Sequence, residues 1–186
     1  MHINATHLER IPTFADSKDR RIHAVIETPR DTRQKYVFEP DMGIFKLKAV
    51  LAEGLEWPYD YGFVPQTLAD DGDPLDVLIL STAPTFTGCL VEARVLGLVR
   101  LCKDGTENDR LLSAPQRFSG IAQPSDRYDD VEDLPKEMIE GICRFLIDYS
   151  AEEGHKIEFK GVKSKKKAFE AIESTMAAYR KHKRAQ

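Results

Sequence analysis

Cysteine is scarce in this 186-residue chain, with Cys89, Cys102 and Cys143 odd in number, far apart and set in apolar surroundings. That excludes a disulfide framework and predicts reduced, buried thiols in a cytoplasmic protein. The five histidines, His2, His7, His23, His155 and His182, show no metal-ligand spacing, and neither a Gly-x-Ser-x-Gly elbow nor a Walker loop is present. Zinc, serine-hydrolase and P-loop chemistries are therefore set aside. Basic charge is not in excess, since the formal net charge is −4, which argues against a nucleic-acid binder that draws its affinity from backbone phosphates. Long apolar runs are missing too, so no segment is expected to span a membrane. Residues 1–21 lack a seven-residue apolar core and carry Glu9, Asp16 and Asp19, and they read as neither a signal nor a transit peptide. There is no internal repeat and no low-complexity linker.

What is present is an ordinary globular composition, 41% hydrophobic and 31% charged, at a length that suits one domain over residues 1–186. Residues 1–20 read as an N-terminal extension and the basic residues 180–186 as a solvated, frayed end. Ile22–Glu27, Lys35–Phe38, Ile44–Leu51, Val77–Ser81, Cys89–Val99 and Leu111–Ala114 have the β-branched, turn-bounded look of short strands, with a hairpin through Pro40–Gly43. Leu55–Pro65, with two prolines, a glycine and four aromatics, reads as a rigid irregular segment whose aromatics fill the core. The pattern then changes period. Asp133 is a candidate cap for a helix carrying Leu134, Met138, Ile142, Phe145, Leu146 and Tyr149. Lys156–Val162 alternates as a last strand, and Ser164 caps a second helix with Phe169, Ile172, Met176 and Tyr179 on one stripe. The class is α+β and β-rich, with a small closed sheet and two main helices.

The densest chemistry lies in Asp70-Asp71-Gly72-Asp73-Pro74-Leu75-Asp76, followed at once by the apolar run Val77–Leu80. Four carboxylates in seven residues repel one another unless a cation neutralises them. Gly72 and Pro74 force a tight turn that can aim short side chains at one point, and Asp71, Asp73 and Asp76 are the first candidates. Hard oxygen donors without His or Cys suit magnesium or manganese. An EF-hand does not fit, because the twelfth position from Asp71 is Thr82 rather than Glu. The plainer alternative is a solvated acidic turn. A second acidic stretch, Asp104 to Asp109, is followed by Arg110. If the two met, paired divalent ions could acidify water and clamp phosphoryl oxygens. Lys35, Lys48, Arg110, Tyr61 and Tyr149 could hold those oxygens, although each has a bland reading as surface charge or core tyrosine.

The string Asp71-Gly72-Asp73-Pro74-Leu75-Asp76-Val77 resembles the Asp-x-Asp-Pro-x-Asp-Val signature of the soluble family I inorganic pyrophosphatases. Val25–Pro29, Lys35-Tyr36, Pro58–Phe63, the Asp104–Asp109 loop and the Asp133-Leu134-Pro135 helix leading to Tyr149 follow in the same order, over roughly residues 20–178. The resemblance implies a five-stranded OB-like closed β-barrel with helices packed outside. It also implies Mg²⁺-dependent hydrolysis of pyrophosphate to two phosphates and a homo-oligomer. It implies Asp71, Asp76 and Asp109 as main metal ligands with Asp104 and Glu27 in support, and Asp73 as acceptor of the attacking water's proton. Lys35, Tyr61 and Tyr149 match phosphate-holding positions, Lys48 stands where Arg is usual, and Arg110 one place short of a usual Lys. Val37, Trp57, Gly105 and Ser150 depart from the pattern. Val37, Trp57 and Ser150 motivate an alternative, a catalytically weak pyrophosphate- or nucleotide-binding relative serving as sensor or partner subunit.

Overall fold

The computed structural model describes Leu8 and residues 10–16 and 18–185. His2 and His7, with the rest of residues 1–7 and residues 9 and 17 of the expected N-terminal extension, lie outside the described residues. Among the described residues the strands are β1 (Phe14–Asp16), β2 (Arg21–Thr28), β3 (Gln34–Glu39), β4 (Ile44–Val50), β5 (Asp60–Phe63), β6 (Asp76–Ile79), β7 (Leu90–Lys103), β8 (Thr106–Glu107), β9 (Arg110–Pro115) and β10 (Ile157–Ser164). The helices α1 (Lys136–Glu152) and α2 (Lys165–Ala185) flank β10 in sequence.

The main sheet runs in the order β1-β2-β5-β6-β9-β7-β10, with β8 on β7. β2 also pairs with β7, so β2, β5, β6, β9 and β7 hydrogen-bond in a ring. Every one of these pairings is antiparallel except β6 with β9. β3 and β4 form a separate antiparallel hairpin, as the turn residues between them predict.

The apolar runs of β6 and β9 are continuous because both faces are covered. Along β6, Leu78 joins the core cluster that contains Ile142, Phe145, Leu146 and Tyr149 of α1. Val77 and Ile79 join the one that contains Ala168 and Ile172 of α2. β9 divides the same way, Leu112 and Ala114 to the first cluster and Leu111 to the second. Fully buried Trp57 anchors the first cluster, its ring centroid 4.7 Å from that of Tyr61 and 5.0 Å from those of Phe145 and Tyr149.

Four local expectations change. Leu55–Pro65 is not wholly irregular, because β5 forms inside it. Gly62 permits this: a Cβ there would lie 1.9 Å from the Val25 carbonyl oxygen, so only a bare backbone can approach β2 so closely. Asp133 does not cap α1. It ends a 3-10 turn over Val131–Asp133, and its carboxylate accepts the N–H groups of Asp129 and Asp130 at 2.8 and 3.0 Å. α1 begins after Pro135, whose fixed φ suits a helix entrance. The cysteines are free as expected but half-buried rather than buried. α2 stays helical to Ala185, so the basic residues Arg180–Arg184 extend it, exposed, where fraying was expected. Among the described residues no helix is long and apolar enough to cross a membrane.

Candidate active site

The acidic turn is fixed from beneath by polar groups that are themselves buried. Thr67 Oγ1 donates to the Val64 carbonyl at 2.6 Å and accepts the Leu75 N–H at 2.9 Å. The backbone closes through Ala69 N–H to the Asp73 carbonyl at 2.8 Å and Gly72 N–H to the Ala69 carbonyl at 3.1 Å. Gly72 takes φ 91°, a conformation that costs glycine little, and Asp73 N–H reaches Asp71 Oδ1 at 3.1 Å. The turn therefore presents Asp71 and Asp73 outward while Asp76 enters β6.

The parallel register of β6 and β9 sets Asp76 opposite Arg110. Arg110 Nη1 meets Asp76 Oδ2 at 2.7 Å, with both side chains largely buried. The Tyr61 hydroxyl on β5 also bonds to Asp76. Burial raises the Asp76 carboxyl above the usual carboxylate range, against the pull of Arg110 and Tyr61, and burial likewise drives the Tyr61 phenol well above 10. On β2, Glu27 Oε1 accepts the Phe38 N–H at 2.7 Å. Burial pushes its pKa up to about 7; the nearby Asp76 and Asp73 charges add to the rise, while the Phe38 bond and Lys35 oppose it. Lys35 on β3 lies against the Tyr149 hydroxyl, with Glu153 Oε1 at 3.4 Å, and burial lowers its ammonium pKa.

Glu27, Lys35, Lys48, Tyr61, Asp71, Asp73, Asp76 and Arg110 all line one cleft of about 430 Å³. Eight of the sequence-selected side chains, drawn from β2, β3, β4, β5, the acidic turn, β6 and β9, are thus brought together. Three are not. Tyr149 sits behind Lys35 in the core. Asp109 turns away and receives Arg100, whose Nη2 is 3.0 Å from Oδ2. Asp104 folds back to accept the His155 ring nitrogen at 2.7 Å and the Lys156 N–H at 2.9 Å.

The cause is the two-residue alternation of extended chain. Arg110 and Leu112 share a face, Leu111 takes the other, and continuing backwards places Asn108 with Arg110 and Asp109 with Leu111. Asn108 and Lys103 accordingly line the cleft where Asp109 and Asp104 were expected. Gly105, at φ 91°, and Asp104, at φ 50°, form the left-handed turn between β7 and β8, which carries Asp104 out of the strand plane. Asn108, Lys103, Lys46 and Glu39 are cleft residues that the sequence reading did not select. For Asn108 the sequence held no signal, because Leu111 and Leu112 are both apolar and both buried, and only the clusters they join tell the two faces apart. Of the departures from the signature, Val37 lines the cleft, whereas Trp57 and Ser150 are buried.

The donor set suits a hard divalent cation. Five carboxylates line the cleft, those of Glu27, Glu39, Asp71, Asp73 and Asp76, and Asn108, buried at 4% exposure, donates its amide nitrogen to Asp71 Oδ2 while its Oδ1 has no hydrogen-bond partner among the described residues. An orphaned buried acceptor costs about 1–3 kcal/mol unless something meets it. Among the described residues no three His, Cys, Asp or Glu side chains already close round one point. Asp76 is instead neutralised by Arg110.

Known proteins give the same architecture a family. Residues 24–180 match the inorganic pyrophosphatase family. The chain is 37% identical over 180 residues to the inorganic pyrophosphatase of Thermus thermophilus, covering 94% of this chain and 98% of that one. It is 36% identical over 162 residues to that of Halalkalibacterium halodurans, covering 86% and 95%. A crystal structure of the Thermus thermophilus protein superposes with a TM-score of 0.83 at 34% identity over 94% of this chain and 99% of that one. Sequence and fold agree over nearly the whole length, and the chain belongs to the inorganic pyrophosphatase family.

Proposed function

We propose that this chain hydrolyses inorganic pyrophosphate to two phosphates in the presence of a divalent cation, Mg²⁺ before Mn²⁺, on a closed OB-like β-barrel formed by the five-strand ring. The observation that carries the reading is the meeting, in one cleft, of Glu27, Asp71, Asp73 and Asp76 with Lys35, Lys48 and Arg110. Asp71 and Asp76, with Glu27 in support, would hold the cation. When bound, it would acidify water and neutralise charge on the phosphoryl oxygens.

The chain's own groups supply the rest. Asp73 is exposed at the tip of the turn and can accept a proton from an attacking water. Lys48, Lys35 and Arg110 offset the charge that develops on the departing phosphate, and the Tyr61 hydroxyl orients Asp76. Tyr149 acts through Lys35, fixing the ammonium it touches. The apolar side chains exposed on the β3–β4 hairpin, Ile44, Leu47 and Val50, suit a homo-oligomer. The cytoplasm, where reduced thiols persist, suits the three free cysteines.

Phosphate release from pyrophosphate with Mg²⁺, measured colorimetrically beside nucleoside triphosphate and beside Mn²⁺ and Zn²⁺, tests the reading. Asp73→Asn is expected to lower turnover by at least about 100-fold with the urea midpoint unchanged. Unchanged turnover removes Asp73 from the role. One observation favours a second reading, pyrophosphate binding without hydrolysis: Arg110 already occupies Asp76, and neither Asp104 nor Asp109 reaches the cleft. Tight binding of pyrophosphate with no phosphate released decides for it.

A further inference from the structure

We propose that Asn108, through its side-chain oxygen, is the cation ligand contributed by the loop between β8 and β9, acting with Asp71 and Asp76. This deepens the hydrolytic reading and rests on it for the identity of the cleft. Three independent facts support the assignment. Asn108 is buried at 4% exposure, and its amide nitrogen is committed to Asp71 Oδ2, which fixes the carboxamide plane at the wall of the cleft. Its Oδ1 is buried and has no hydrogen-bond partner among the described residues, so a neutral oxygen donor is left uncommitted there. The acidic neighbour that composition favours, Asp109, is held by Arg100 on the opposite face of the chain.

The chemistry of such a site follows from charge. Asn108 is neutral where a carboxylate was expected, and Lys103, the last residue of β7, lines the same cleft as a cation. The loop thus adds positive rather than negative charge to the metal region. A divalent ion is then held by two carboxylates and an amide oxygen, more weakly than by three carboxylates, and a single ion is favoured over a cluster. Lys103 and Arg110 supply toward the phosphate anion part of the charge that further ions would otherwise bring.

The test is direct titration of the intact protein with Mn²⁺ in the absence of pyrophosphate, read by calorimetry or by the spin-resonance signal of free Mn²⁺. Wild type should bind one ion per chain. Asn108→Asp should tighten binding by at least about tenfold, and Asn108→Leu should weaken it by as much. Asp109→Asn should stay within about twofold of wild type. Urea unfolding in chelator separates ligand loss from misfolding: Asn108→Leu should unfold at or above the wild-type midpoint, because it removes the orphaned acceptor. Wild-type affinity in Asn108→Leu, a loss of binding in Asp109→Asn, or no Mn²⁺ bound by wild type would each overturn the assignment. Should the titrations run as expected while pyrophosphate stays intact, the ligand stands and the hydrolytic reading falls. Should pyrophosphate be cleaved while Asn108→Leu binds Mn²⁺ normally, the reverse holds.

Discussion

Glu27→Gln isolates the electrostatic cost of the cleft. In the folded chain the Glu27 carboxyl has a pKa of about 7, against an ordinary value of 4.5. Below pH 4 both states are protonated and burial of the side chain carries no charge penalty. As pH rises from 4.5 towards 7, the unfolded chain releases its proton while the folded chain retains it, so stability falls. Above pH 7 the loss is complete. A gap of about 2.5 pH units at 1.36 kcal/mol each is about 3 kcal/mol. Glutamine retains an oxygen for the Phe38 N–H and never ionises. The variant should therefore match wild type at pH 4 and exceed it by about 3 kcal/mol at pH 8 in chelator. Urea unfolding followed through Trp57, the chain's single tryptophan and fully buried, provides the assay. Saturating Mg²⁺ should narrow the gap, because a cation in the cleft favours the ionised carboxylate. A difference between the two proteins that is the same at pH 4 and pH 8 would refute the reasoning.

Three further substitutions probe other parts of the structure. Arg110→Met leaves Asp76 buried without its cation and should cost about 3–5 kcal/mol at pH 8. The loss should shrink on acidification, as the already raised Asp76 carboxyl takes up a proton, which chemical denaturation across pH will show. Gly62→Ala drives a methyl group into the Val25 carbonyl and should part β5 from β2, lowering Tm by at least about 4 °C by calorimetry. Phe145→Ala empties the space beside Trp57 and should destabilise by about 3–5 kcal/mol, with a red shift in Trp57 emission.

The two core faces, the hairpin and both helices were legible in the chain because each depends on local periodicity and turn chemistry. β5 was not, since two prolines and a glycine mark irregular chain unless a partner strand is known to need the glycine's missing Cβ. The helix entrance was misread for a related reason: an acidic residue before an apolar run caps a helix only if the backbone turns there, and Asp133 spends its carboxylate on a 3-10 turn.

For the site, the sequence by itself determined the acidic turn: Asp71, Asp73 and Asp76 are close in the chain, so Gly72 and Pro74 suffice to gather them. It determined Glu27 and Lys35 as well, as strand residues with few alternatives. Only the tertiary structure decided which face of the β8–β9 loop looks inward. A one-residue change of phase exchanges every side chain between the two faces of extended chain. That phase is set by pairing β9 beside β6 and by burying Leu111 and Leu112 in different clusters, and both depend on contacts between segments that are not neighbours in the chain. Asn108 and Arg110 therefore face the cleft, and Asp109 does not.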